Sequence, residues 1–261
     1  MERPLLVDKP IGATPLQALE LLRGARRLRA TEKMSYAGRL DPMASGLLPI
    51  LYGEMLQHQE DYWHLPKQYE ARVLIGIETD SYDVLGLPTR APLEMPAVER
   101  VTAVVRGLVG KTYLSVPVYS SYRVGGQPLF TLAREDRIPE SILVPARRMS
   151  VSQVDVMGTD TITHEELHER VSQRVRLVTG DFRQEAIMRA WQEAIACPGE
   201  WMTVSLSIHC ASGTYIRSLA HEIGRRLKAS ACLIGLRRVR VGPWSIEDPE
   251  VFAPSWPPQA S

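Results

Sequence analysis

The sequence predicts an α+β fold built on a mixed or antiparallel sheet. Three observations lead there. Helical and strand-like patterns are interspersed along the chain without a regular βαβ rhythm. Two stretches alternate apolar and polar residues with the period of half-buried strands: Tyr69, Ala71, Val73 and Ile75 against Gln68, Glu70 and Arg72, and Met202, Val204, Leu206, Ile208 and Cys210 against Thr203, Ser205, Ser207 and His209. Other stretches open on capping signals and continue at helical spacing.

In chain order, residues 5–7 read as a short strand and residues 9–12 as a turn. Thr14-Pro15-Leu16-Gln17 is a capping box with proline at the first helical position, and that helix is expected to run toward Arg29. A Gly/Pro-rich loop over residues 38–46 leads into an apolar strand at 47–52, then a short helix near 54–62. A helix over 96–108 stopping at Gly110, a short helix at 128–134 and a loose strand at 149–157 follow. Thr163-His164-Glu165-Glu166 is a second capping box, with Leu167, Val171, Val175 and Val178 behind it. Gly180 stops that helix. Asp181 and Gln184 read as the cap of another, carrying Ile187, Trp191 and Ile195 and closed by Cys197-Pro198-Gly199. Residues 160–200 therefore form a predicted helical hairpin inserted between two strands. Thr214 is read as capping a last helix with Ile216, Leu219, Ala220, Ile223 and Leu227 on one face. Residues 251–261, rich in proline, form a loose tail.

The 261 residues, 44% hydrophobic and 23% charged, have ordinary globular composition. There is no apolar run of membrane-spanning length and no basic-then-apolar leader, so neither a membrane partner nor secretion is expected. Cys197, Cys210 and Cys232 are odd in number, widely spaced and without a CxxC pair. That pattern argues against a disulfide framework and for a reducing, cytoplasmic compartment. The net charge is only +1, but it is unevenly distributed: residues 160–200 hold eight acids and five bases, a local −3 that leaves +4 elsewhere. Arginine clusters at 23–29, 225–228 and 237–240 suit either phosphate contacts or helix ends.

His164-Glu165-Glu166-Leu167-His168 matches the HExxH zinc motif. Its surroundings do not: Glu166, Glu169 and Arg170 crowd it, it starts an amphipathic surface helix, and no further histidine follows at the required spacing. No metal is expected, and a zinc hydrolase through His164, Glu165 and His168 is the remote alternative. Serine-elbow, dinucleotide and P-loop patterns are absent. What remains is Asp41 in the stiff 38–46 loop, Tyr69 on a strand face, and Arg217 in the first turn of the last predicted helix. An arginine there can reach a loop carboxylate and keep it ionised. The plain alternatives are a turn cap for Asp41, core packing for Tyr69, and a surface ion pair or phosphate contact for Arg217.

Ordered blocks over residues 5–242 resemble the TruB family of pseudouridine synthases. Leu6-Val7-Asp8-Lys9-Pro10 with Gly12 is similar to the family's LDKPxG. Gly38-Arg39-Leu40-Asp41-Pro42 with Ala44, Gly46, Leu48-Pro49 and Gly53-Glu54 resembles GxLDPxAxGxLPxxxGE. Lys67-Gln68-Tyr69, then Gly76 with Thr79-Asp80, Asp83 and Gly86, resembles KxY…GxxTDxxDxxG. Pro117-Val118-Tyr119-Ser120, Gly126-Gln127-Pro128-Leu129, Gly213-Thr214-Tyr215-Ile216-Arg217-Ser218-Leu219 and Leu236-Arg237-Arg238 resemble further family blocks. The resemblance implies a pseudouridine synthase fold: a mixed, mostly antiparallel central sheet flanked by helices, here with the inserted hairpin. One catalytic domain would span residues 1–250, with no PUA domain after it. It also implies Asp41 as nucleophile, Tyr69 stacked on the target base, Arg217 paired with Asp41, and Leu236 lining the pocket. Tyr36, Arg39 and Lys9 would join in substrate binding. Tyr36 stands where the family has the histidine that wedges into the RNA stack. No cofactor is implied. The partner would be RNA, tRNA foremost with U55 of the TΨC loop as target, acted on by a monomer. A non-catalytic RNA-binding or RNA-folding protein on the same scaffold is the alternative.

Overall fold

The computed structural model describes residues 2–90, 95–135, 137–138, 145–196 and 199–257. Cys197-Pro198 and the end of the tail lie outside the described residues. The elements are β1 (Leu5–Lys9), α1 (Pro15–Ala25), β2 (Met34–Tyr36), β3 (Ser45–Tyr52), a 3-10 turn (Gly53–His58), α2 (Gln59–Trp63), β4 (Lys67–Ile75), β5 (Ile77–Thr79), β6 (Pro88–Arg90), α3 (Val98–Arg106) and β7 (Gly110–Ser115). They continue with β8 (Arg123–Val124), β9 (Gln127–Pro128), α4 (Leu129–Arg134), β10 (Ala146–Thr163), α5 (His164–Leu177), α6 (Gln184–Ala194), β11 (Glu200–Cys210), α7 (Ile216–Leu227), β12 (Ala231–Val241) and β13 (Trp244–Ser245).

β3 is apolar almost throughout because it is buried on both faces. Leu47 and Leu51 face a cluster with Tyr62 and Trp244, while Leu48 and Ile50 face one with α1 residues Leu19 and Leu22. The main sheet runs β1-β3-β12-β4-β11-β10-β7, with β2 and β13 added to β3 and β12. Among the described pairs only β3–β12 is parallel, so the sheet is mixed and mostly antiparallel as expected. The largest core packs Val73 and Leu206 of the sheet with Val101 of α3, Val171 of α5, Trp191 of α6 and Leu219 of α7.

Both capping boxes form: Thr14 with Gln17, and Thr163 with Glu166. Other boundaries depart from the sequence reading. α1 stops at Ala25 rather than Arg29. β10 begins at Ala146 and runs to Thr163, with register shifts that absorb its irregular pattern. Thr214 does not cap α7. Tyr215 is the cap residue, and the Thr214 hydroxyl instead bonds the Ser150 carbonyl, tying the loop to β10. Nor does Asp181 cap α6: Arg183 holds that position in the left-handed region, φ 62°.

The seam between β3 and β12 sets the scaffold. Gly46 lies opposite Arg238 at φ 111°, and a Cβ there would sit 2.2 Å from the Arg238 carbonyl oxygen and 2.6 Å from its nitrogen. No side chain fits between the two backbones. Gly46→Ala is therefore expected to lower the unfolding free energy by about 3 kcal/mol or more. A urea midpoint within error of the wild type would refute this account of the seam.

Candidate active site

The loop between β2 and β3 presents Asp41 at the rim of a cleft of about 550 Å³. Gly38 turns the chain with φ 84°, and the Ala44 N–H donates to the Asp41 carbonyl. The Gly12 N–H on Pro42 O ties the loop to the turn after β1. Asp41 thus projects from a braced loop, its side chain 37% exposed.

Arg217 enters the same space from the first turn of α7 and is buried. Its Nη2 donates to Asp41 Oδ1 at 3.1 Å and to the Tyr119 carbonyl at 3.1 Å. Nη1 donates to the Ser81 carbonyl at 3.0 Å. Nε lies 2.8 Å from Asp41 Oδ2, an ionic contact out of line for a hydrogen bond. Burial works against the guanidinium charge, but the Asp41 and Asp83 carboxylates outweigh it and hold its pKa up. The arrangement holds the Asp41 carboxylate by one hydrogen bond and one close ionic contact and leaves it partly exposed on the cleft side.

Asp83, not singled out from the sequence as a site residue, is the second carboxylate on this arginine. Its Oδ2 is 3.7 Å from Arg217 Nε, and its Oδ1 accepts from Ser81 Oγ at 2.7 Å and Leu85 N at 2.9 Å. Burial raises its pKa from 3.8 to about 6, against the pull of Arg217 and with the push of Asp41. The sequence signal for it was its place in the block that resembles GxxTDxxDxxG, which carried no role for this position.

Tyr69 is buried and lines the cleft with Leu236. Burial raises its pKa against the opposing pull of the Arg238 guanidinium, so the ring is a neutral phenol at pH 7. Tyr36 and Arg39 also line the cleft. Lys9 is not brought there: it is fully buried, and its Nζ donates to the Pro10 and Ala13 carbonyls at 2.9 and 2.6 Å. Burial lowers its pKa to about 7, and its visible work is to pin the turn beside the Asp41 loop.

The arginine clusters divide by burial. Arg238 is buried, donating from Nε to Leu47 O and from Nη1 to Arg39 O, and so ties β12 to β3 and to the Asp41 loop. Arg237 grips Asp8, and Arg225 and Arg226 both grip Glu222. These are scaffold and helix-end roles rather than a phosphate track. His164 starts α5 and His168 is exposed, and among the described residues no three His, Cys, Asp or Glu could hold a metal together.

Asp83 makes stability depend on pH in a defined direction. Its folded pKa lies above the unfolded value, so the folded state binds the proton more tightly and this contribution is lost as pH rises from 3.8 through about 6. Asp83→Asn is expected to flatten that slope, gaining on the wild type as pH rises across the interval. Parallel urea-unfolding profiles for the two proteins over that range would contradict it.

Residues 26–180 match the family described as TruB family pseudouridylate synthase, N-terminal domain. The chain is 32% identical over 241 residues to tRNA pseudouridine synthase B of Xanthomonas euvesicatoria, covering 92% of this chain and 63% of that protein. It is 32% identical over 245 residues to the protein of the same name from Ralstonia nicotianae, covering 93% and 64%. The chain thus spans less than two thirds of the length of these relatives. Among solved structures, an archaeal box H/ACA sRNP Nop10–Cbf5 complex matches at 18% identity and TM-score 0.56, over 95% of this chain and 50% of that one. A Cbf5–Nop10–Gar1 complex matches at 19% and 0.55, over 95% and 51%. Those two likenesses speak to the fold. The family match over more than half of the chain, together with the sequence blocks gathered around one cleft, identifies the chain as a member of the TruB family of pseudouridine synthases.

Proposed function

We propose that this chain isomerises a uridine in RNA to pseudouridine, with a tRNA of the TΨC-loop class as substrate. The observation that carries this reading is the Asp41–Arg217 pair at the rim of a cleft lined by Tyr69 and Leu236. The reaction breaks the C1′–N1 bond, turns the base, joins C1′ to C5, releases the C5 proton and protonates N1. It consumes no oxidant or reductant. It needs a nucleophile, a stacking surface for the freed base and exclusion of water. Asp41 is the proposed nucleophile, oriented by Arg217, and Tyr69 the ring against which the base rests. Tyr36 and Arg39, at the same mouth, are proposed to meet the RNA as the target base leaves its stack.

Residues 1–250 are proposed to act as one catalytic domain, with the α5–α6 hairpin as an insertion. The chain is proposed to act as a monomer without a cofactor. No helix among the described residues is long and apolar enough to cross a membrane, and Cys210 and Cys232 are free thiols. The free thiols support a proposed cytoplasmic site of action.

Asp41→Ala is expected to lower tritium release from tRNA labelled at uridine C5 by about 1,000-fold or more, with RNA binding retained. Turnover near the wild-type rate would sink the role of Asp41. A wild-type protein that binds the RNA and never converts it would identify an RNA-binding protein on the same scaffold.

A further inference from the structure

We propose that the tip of the inserted hairpin, Phe182-Arg183, is a specificity-determining wall of the cleft that binds the RNA strand beside the target uridine. The inference deepens the function proposed above and rests on it. The hairpin grows from the far ends of β10 and β11, yet Phe182 and Arg183 line the same cleft as Asp41, Tyr69 and Leu236.

The tip is held in place from several sides. Gln184 accepts from the Phe182 N–H at 2.9 Å and donates to the Val178 and Gly180 carbonyls, closing the loop on itself. Gln17 of α1 donates to Thr179 Oγ1 at 2.8 Å, and the Trp256 indole N–H donates to the Leu177 carbonyl at 2.8 Å. Leu177 packs so closely on Gly12 that a Cβ there would lie 2.3 Å from its carbonyl oxygen. Arg183 is held at φ 62° and ψ 28°, a conformation that costs a non-glycine residue and persists only where its surroundings enforce it.

The side chains that this scaffold presents suit single-stranded RNA. The Arg183 guanidinium lies over the Tyr119 ring at 4.2 Å, and Arg134 lies over Phe182 at 4.5 Å and Phe130 at 5.5 Å. Interleaved guanidinium and aromatic groups offer stacking faces to unpaired bases and N–H edges to phosphates. The Nη1 and Nη2 edge of Arg183 is taken by Asp80 at 2.8 and 3.3 Å, and both side chains are partly exposed. Asp80 thus aligns the guanidinium and also competes with a phosphate for it.

That competition gives two variants of opposite sign. With an unmodified tRNA transcript, Arg183→Ala is expected to raise KM about tenfold with kcat within about twofold, the loss of one charge-assisted contact. Asp80→Asn keeps the Oδ1 acceptor that the Leu87 N–H and Arg183 Nη2 share but removes the carboxylate charge and the Nη1 contact, so its KM should be at or below the wild-type value. A strut that merely stiffens the fold would raise KM in both. Equilibrium binding of the same transcript across a salt series needs no turnover, and there Arg183→Ala should shallow the log–log slope by about one unit. A wild-type KM and salt slope in Arg183→Ala, or a KM that rises in both variants, overturns the role of the tip. A wild-type protein without isomerase activity whose binding still loses that slope in Arg183→Ala would overturn the catalytic reading and leave the tip as an RNA contact.

Discussion

The cleft depends on one buried guanidinium. Arg217 spends its donors on groups from three separate segments: Asp41 in the β2–β3 loop, Ser81 in the β5–β6 turn, and Tyr119 after β7. A buried guanidinium is costly unless its charge and its N–H groups are met. Two carboxylates meet the charge, and Asp41 with two carbonyls meets the Nη groups, which draws the three segments to the start of α7. The same contacts that satisfy the burial fix the direction of the Asp41 carboxylate. Stability and orientation are one interaction here, so neither can be altered alone.

A second buried arginine does for the scaffold what Arg217 does for the site. Arg238 reaches through the parallel β3–β12 seam to Leu47 O and Arg39 O. The missing side chain at Gly46 lets its backbone close the seam. The mouth of the cleft, with Tyr36 and Arg39, therefore hangs from the sheet by backbone contacts rather than by loop side chains. Lys9 repeats the device on the other flank, donating to the carbonyls of its own turn. Basic side chains that a charge map would place on a nucleic-acid surface are thus partly consumed inside the protein. The cationic groups left at the cleft are few: Arg39, Arg134 and Arg183 among them. A net charge near zero is compatible with an RNA partner when the cations that matter are concentrated at one mouth.

The hairpin shows how an acidic, surface-like segment can still bear on a basic cleft. Three of its acids, Glu165, Glu166 and Glu185, lie in helix first turns and suit the helix dipole. Its apolar faces join the main core through Leu167, Val171, Ile187 and Trp191. Among its described residues only Phe182 and Arg183, in the turn between the two helices, line the cleft, and these two supply an aromatic ring and a guanidinium.

The sequence by itself determined what depends on local chemistry and on pattern. The two capping boxes, the alternation of β4 and β11, the apolar face of α7 and the proline–glycine punctuation of the Asp41 loop were legible because each acts within a few residues. The family blocks marked Asp41, Tyr69, Arg217 and Leu236, and they line one cleft. What only the tertiary structure decided depends on partners distant in the chain. The Thr214 hydroxyl pairs with the Ser150 backbone, accepting from its N–H and donating to its carbonyl, rather than capping α7, and the Lys9 ammonium turns inward to donate to the Pro10 and Ala13 carbonyls. Asp83 becomes the second carboxylate of the site only when α7 places Arg217, 134 positions along the chain, beside it. Phe182 and Arg183 likewise enter the cleft only because the hairpin folds back over Gly12. Periodicity records which face of an element is buried. It does not record which other element does the burying, and in this protein that choice sets the site.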